Sequence, residues 1–167
     1  MRLSDLNALP REAAERELGR CCASARWSAA VAARRPFANV EELCRVGDEV
    51  WWTLEGGDWL EAFARHPRIG ERAAGWASDE QAGARHASAA TLQRLNELNH
   101  EYERKFGHVF LISATGKSAE DMLAQLEKRI ANDVATELKI AAIEQSKIMR
   151  LRLEKLLSPP QDPPRRG

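Results

Sequence analysis

Residues 133–157 read DVATELKIAAIEQSKIMRLRLEKLL, and this run decides the fold class. Asp133 is a residue type that caps helices. Leu138, Ala142, Met149 and Leu156 then fall on one face at the 3.6-residue period. The stretch predicts one long helix reaching Leu157. Ile140, Ile143 and Leu151 make a second apolar patch on another side. A helix covered on two sides fits a subunit contact as well as a core.

Working towards the N-terminus, Ser118 with Asp121 predicts the cap of a helix running to about Ala131. Thr115-Gly116-Lys117 reads as a turn. Residues 108–114 are short and apolar, and suit an extended segment. Ser78 with Gln81 fits a capping box opening a long helix, with Ala84, Ala87, Thr91, Leu95, Leu98 and Tyr102 facing inward and Gly107 at its end. His66 to Ala77 carries Pro67, Gly70 and Gly75 without sustained periodicity, and reads as irregular. Earlier helices are predicted from Pro10 to about Cys21, from Trp27 to Arg34 ahead of Pro36, from Val40 through Trp51, and from Asp58 to Arg65, with Gly56 and Gly57 breaking the third. Strand signals are nearly absent. The expectation is an all-α, compact multi-helix single domain with a short extended segment near 108–114. It occupies 1–157, and the tail 158–167 (SPPQDPPRRG) reads as disordered.

The 25 basic and 25 acidic residues cancel over 167 residues. That balance leaves no electrostatic footprint for nucleic acid or an anionic membrane surface. The longest bulky apolar run, Val109 to Ile112, is far too short to span a bilayer. The N-terminal apolar residues are scattered, unlike a signal peptide. Cys21, Cys22 and Cys44 have neither disulfide-framework nor metal-site spacing, and read as buried thiols in a reducing cytoplasm.

Polar residues stand out at three places in the chain. Gln145 and Arg152 share the apolar face of the last helix. A buried guanidinium needs a partner anion. It is either a planar fork for a ligand carboxylate or ureido group, or part of an internal ion pair, or a stem reaching out to water. Glu80 lies on the inward side one turn before Ala84. It answers a helix dipole or points into a pocket. His66 ends a helix at Pro67, where it either caps or moves protons. His86, His100 and His108 read as structural. No phosphate loop, dinucleotide fingerprint or nucleophile elbow is present, so no phosphate or nicotinamide cofactor is indicated.

His66-Pro67-Arg68-Ile69-Gly70 resembles the HPRIG segment of the 2-oxo-4-hydroxy-4-carboxy-5-ureidoimidazoline (OHCU) decarboxylases. Glu80-Gln81-Ala82-Gly83 resembles that family's EQ-x-G segment. Tyr102 to Phe110 (YERKFGHVF) resembles its Y-x-x-KFG-x-x-F signature. Arg129 to Asn132 with Glu137-Leu138 resembles its R-[LI]-x-N…EL segment, and Glu144 to Leu157 its closing helix. The blocks occur in family order and cover the chain from Leu3 to Leu157.

The resemblance implies an all-α homodimer that converts OHCU to (S)-allantoin and CO₂ in urate breakdown without a cofactor. By matching position, His66 is the expected proton donor, with Glu80 and Arg152 as its catalytic companions. Pro67, Ser78 and Gln81 are expected to line the site. Phe110, Leu111, Ile112, Ser113 and Ala114 are expected to offer backbone groups to the substrate. The family usually has Ser three residues before the Glu. That position is Ala77 here, and the contact is carried to Ser78. A helical binding or dimerisation module, and an enzyme of the same fold acting on another ureido or imidazoline acid, are the competing readings.

Overall fold

The computed structural model describes residues 1–71 and 75–158. Residues 159–167 of the expected disordered tail lie outside the described residues. Among those described there are helices and no strand, in agreement with the all-α reading. The chain forms two compact units, 1–54 with 149 onward, and 55–148.

The first unit begins with α1 (Leu3–Ala8), α2 (Arg11–Gly19), α3 (Ala25–Ala32) and α4 (Val40–Thr53). Leu6, Leu18, Trp27, Leu43 and Trp51 are fully buried in it. Helix α1 carries too short an apolar pattern to be read from periodicity, yet Leu6 anchors it. Pro10, expected in the first turn, is instead the residue that precedes α2 at its N-cap. Asn39 caps α4 by accepting from the Glu42 N–H at 2.8 Å. The Trp27 indole N–H donates to the Gly47 carbonyl at 2.9 Å. A Cβ at Gly47 would sit 3.3 Å from both Trp27 and Leu153, so the small residue sets how closely these side chains approach. Cys21, Cys22 and Cys44 are buried thiols that form no disulfide. Burial pushes the Cys21 thiol up to about 12, so it is not a reactive thiolate.

The second unit holds α5 (Gly56–Phe63), α6 (Trp76–Glu80), a 3-10 turn (Ala82–Ala84), α7 (Ala89–Phe106) and α8 (Ala119–Arg129). The last helix, α9 (Val134–Leu157), gives its residues up to 148 to this unit and the remainder to the first. The core gathers Leu95, Leu98, Tyr102, Phe110, Met122 and Leu126. Of the segment 108–114, expected as extended, residues 109–114 run without helix or strand between α7 and α8.

Two boundary expectations are corrected. Gly56 and Gly57 do not simply break a helix; they open α5, whose cap is Glu55 with Asp58. The helix expected to run from Ser78 to Gly107 is divided. Its first part ends at Glu80, and α7 restarts at Ala89 behind a new cap, Ser88, which accepts from the Thr91 N–H at 3.1 Å. Gln81 does not reach back to Ser78. Its Oε1 instead accepts from the Gly70 N–H at 3.1 Å. A long-range bond therefore outcompetes the local capping box.

Candidate active site

The irregular segment after α5 is fixed at several points of the second unit. Its entry bends through the His66 N–H, which donates to the Phe63 carbonyl at 3.1 Å. Arg68 then grips Glu103 of α7 with both ends of its fork, at 2.6 and 2.8 Å. That pairing holds the Glu103 carboxyl below its usual range. Asn99 of α7 donates to the Ile69 carbonyl at 2.9 Å. Gly70, at φ 89°, turns its N–H towards Gln81 in a conformation that favours glycine. The loop is irregular yet pinned, which suits a segment carrying chemistry.

A cavity opens between this loop, α6 and the 109–114 segment. It is lined by His66, Pro67, Ile69, Ala77, Glu80, Gln81, Phe110, Leu111, Ile112, Ala114 and Ile148. Glu80 and Gln81 are 8% exposed each, so the acid expected to face inward does so. The free space is about 10 Å³, room for one water-sized body. A roomier hollow of about 410 Å³ is lined by Leu60, Ala64, Glu103, Gly107, His108 and Val109. Its polar groups are engaged elsewhere, Glu103 with Arg68 and the His108 ring with the Val109 carbonyl. Size therefore does not identify the site; the convergence of polar groups does.

The wall formed by Phe110 to Ala114 is braced from behind. Arg129 Nη1 donates to the Leu111 carbonyl at 2.7 Å, and its guanidinium lies 4.6 Å from the Phe110 ring centre. Arg129 also pairs with fully buried Glu137 at 2.6 Å. Glu137 accepts from the Tyr102 hydroxyl at 2.5 Å and from Asn132 at 3.1 Å. Glu144 of α9 accepts the Ser113 N–H at 2.7 Å, and Lys117 donates to the Ser113 carbonyl at 2.7 Å.

Of the expected site residues, His66, Pro67, Glu80, Gln81, Phe110, Leu111, Ile112 and Ala114 thus meet on one cavity. Ser113 and Ser78 are not on its lining. Both the Ser78 hydroxyl and carbonyl accept from Arg85, at 3.1 and 2.9 Å, and Ala77 faces the cavity instead. Arg152 belongs to the first unit, half-buried on α9, where its charge acts on Cys21. Sequence reasoning placed Gln145 on an apolar stripe without assigning it a partner. Its Oε1 lies 2.7 Å from His66 Nε2, and the residue is fully buried. Among the described residues, no group of three or more His, Cys, Asp or Glu side chains is placed to hold a metal ion.

The OHCU decarboxylase family model matches residues 7–154. The bifunctional uric acid degradation protein TTL of Arabidopsis thaliana is 36% identical over 157 residues, which is 88% of this chain and 48% of that protein. The chain thus spans about half of that two-function relative. The 2-oxo-4-hydroxy-4-carboxy-5-ureidoimidazoline decarboxylase of Amia calva is 32% identical over 143 residues, covering 80% of this chain and 81% of the relative. A crystal structure of OHCU decarboxylase in the presence of (S)-allantoin superposes with a TM-score of 0.78 at 36% identity, covering 84% of this chain and 96% of the other.

Proposed function

This chain belongs to the OHCU decarboxylase family, and from that premise we propose that it decarboxylates 2-oxo-4-hydroxy-4-carboxy-5-ureidoimidazoline to (S)-allantoin and CO₂ in urate degradation. The observation that carries the reading is the single cavity on which His66, Pro67, Glu80, Gln81 and the 110–112 wall converge from separate sequence blocks. The domain responsible is 1–157.

The chemistry suits these residues. In OHCU the ring carbon bearing the carboxylate neighbours a C=N bond. When the C–C bond to the carboxylate breaks, CO₂ leaves and its electron pair moves into that C=N bond. The nitrogen takes a proton and the ring becomes an enol. Protonation of the adjacent carbon, with loss of the hydroxyl proton, gives the ketone of allantoin. The substrate is its own electron sink, so the protein has to hold, polarise and protonate. His66 supplies the proton to carbon from one face, which sets the S configuration. Glu80, held at the cavity edge, directs that proton and bonds the ring or its hydroxyl. Peptide groups around Ile112 complete the cradle. The wall braced by Arg129 and Glu144 keeps these groups in place, since positioning supplies the larger share of such catalysis.

The enzyme works as a cytoplasmic homodimer in this reading. Buried thiols that form no disulfide fit a reducing compartment. The outer face of α9, with Ile143 45% exposed, offers an apolar patch to a second copy. Because Ala77 rather than a serine faces the cavity, a related ureido acid is the second substrate to try.

The test uses freshly generated OHCU and follows both rate and product chirality. Enantiopure (S)-allantoin formed faster than spontaneous decay is the expected result. Racemic product at the uncatalysed rate overturns the proposal and favours a non-catalytic helical module.

A further inference from the structure

We propose that Gln145 is a positioning residue that locks the His66 imidazole as its Nε2–H tautomer, so that proton exchange at this histidine takes place on Nδ1. The inference rests on the decarboxylase reading for its consequence in rate, but its geometry stands apart from it.

Gln145 lies on α9, on the same buried face as Ala142 and Met149, all three with no exposed surface. The 3.6-residue pattern asks for an apolar residue there. Gln145 Oε1 lies 2.7 Å from His66 Nε2, across 79 residues of sequence. An amide oxygen only accepts hydrogen bonds, so this contact requires a proton on Nε2. With that proton committed, the neutral ring carries its lone pair on Nδ1. The imidazolium gains, and later releases, its second proton at that atom.

The other end of the same amide strengthens the case. Gln145 Nε2 is buried without a hydrogen-bond partner, a situation that lowers stability. A methionine of similar shape would fill the position without that cost. Packing alone therefore does not account for a glutamine here; its bond to the histidine does. The preceding residue works in parallel, since Glu144 holds the Ser113 N–H at 2.7 Å. Two consecutive side chains of α9 thus hold both walls of the cavity, one through a ring and one through a peptide.

The experiment combines ¹⁵N spectra of the histidine rings with kinetics and stability. Spectra are recorded at about pH 8.5, two units above an ordinary histidine, and the His66 signals are assigned by their loss in His66→Asn. The wild-type protein is expected to show His66 held wholly as Nε2–H, and Gln145→Met to show a mixture of tautomers. The same variant should unfold at the wild-type denaturant concentration or higher. Its kcat should fall about 10- to 100-fold with KM little changed, the scale seen when partners that orient other functional imidazoles are removed.

An Nδ1–H tautomer in the wild type, the signature of a reversed amide donating to Nε2, overturns the proposal. So does an unchanged kcat in Gln145→Met. If that variant fails to fold, the wild-type tautomer decides alone. Absent turnover by the wild-type protein would instead sink the decarboxylase reading and leave the tautomer result to be judged by itself.

Discussion

Two groups of buried and half-buried polar side chains flank the segment 110–114, and they differ in what their polar atoms face. On one side Arg129, Glu137, Tyr102 and Asn132 bond chiefly to one another and to the Leu111 carbonyl. On the other side His66, Glu80 and Gln81 line a cavity. Both groups mix buried and half-buried polar residues, and burial alone does not separate them. The first closes on itself and braces a wall. The second turns reactive groups towards a space. A buried ion pair is thus weak evidence of catalysis, whereas polar groups converging on a cavity are strong evidence.

That difference is broken most directly by exchanging one residue in each group. Glu80→Gln keeps the shape and removes the carboxylate, and His66→Asn removes the proposed proton donor. Each should lower kcat by about 10²–10⁴-fold while the urea midpoint stays close to wild type. Rates equal to wild type in either, with the fold intact by circular dichroism, remove that residue from the mechanism. Arg129→Met should do the reverse. It leaves Glu137, which has no exposed surface, as an unpaired buried charge, and should cost about 3–5 kcal/mol in urea unfolding. Adding Glu137→Leu to Arg129→Met should recover much of that loss, because the uncompensated charge is then gone. If the single variant costs under about 1 kcal/mol, the bracing role falls.

The two groups were not equally legible in the sequence. His66 and Glu80 stood out because one sits in a proline- and glycine-punctuated segment and the other on an inward stripe. Arg129 and Glu137 look like ordinary surface charges near helix ends, and only the fold shows that they meet in the core. Gln145 was visible as a polar residue on an apolar face, but its partner lies 79 residues away, and no local pattern encodes such a pairing. The break between α6 and α7 was missed for a related reason. Residues 82–90 are rich in alanine and favour a continuous helix by propensity. What stops the helix is tertiary: Gln81 is drawn to Gly70, and Gly83 is pressed against the backbone of Lys117. Arg152 was expected beside His66 and Glu80, and it belongs to the other compact unit.

Gly83 links the two regions, and changing it sharpens their comparison. A Cβ there would lie 1.9 Å from the Lys117 carbonyl oxygen, far inside any tolerated contact, and a backbone atom cannot rotate away. Gly83→Ala must displace either the turn carrying Glu80 and Gln81 or the loop after the 109–114 wall. Overpacking of this kind costs about 1–3 kcal/mol. Both stability and kcat should fall, unlike the one-sided effects above. A variant that loses stability while keeping full kcat would show that this packing does not position the cavity residues.

The smallest expected effect concerns His108, which is polar but serves neither group. Its ring packs 5.3 Å from Phe63 and 5.5 Å from Tyr102, centre to centre. Burial holds its pKa below the ordinary 6.5, against the opposing pull of the Val109 carbonyl and Glu137, and with help from Arg129. The folded protein therefore resists protonating this ring, while the unfolded chain takes the proton as soon as pH drops below about 6.5. The stability held above that pH is lost progressively on acidification. His108→Phe keeps the aromatic packing and removes the titration, so its urea midpoint should fall less than that of the wild type between pH 7 and pH 5. Parallel losses in the two proteins would mean that acid sensitivity arises elsewhere.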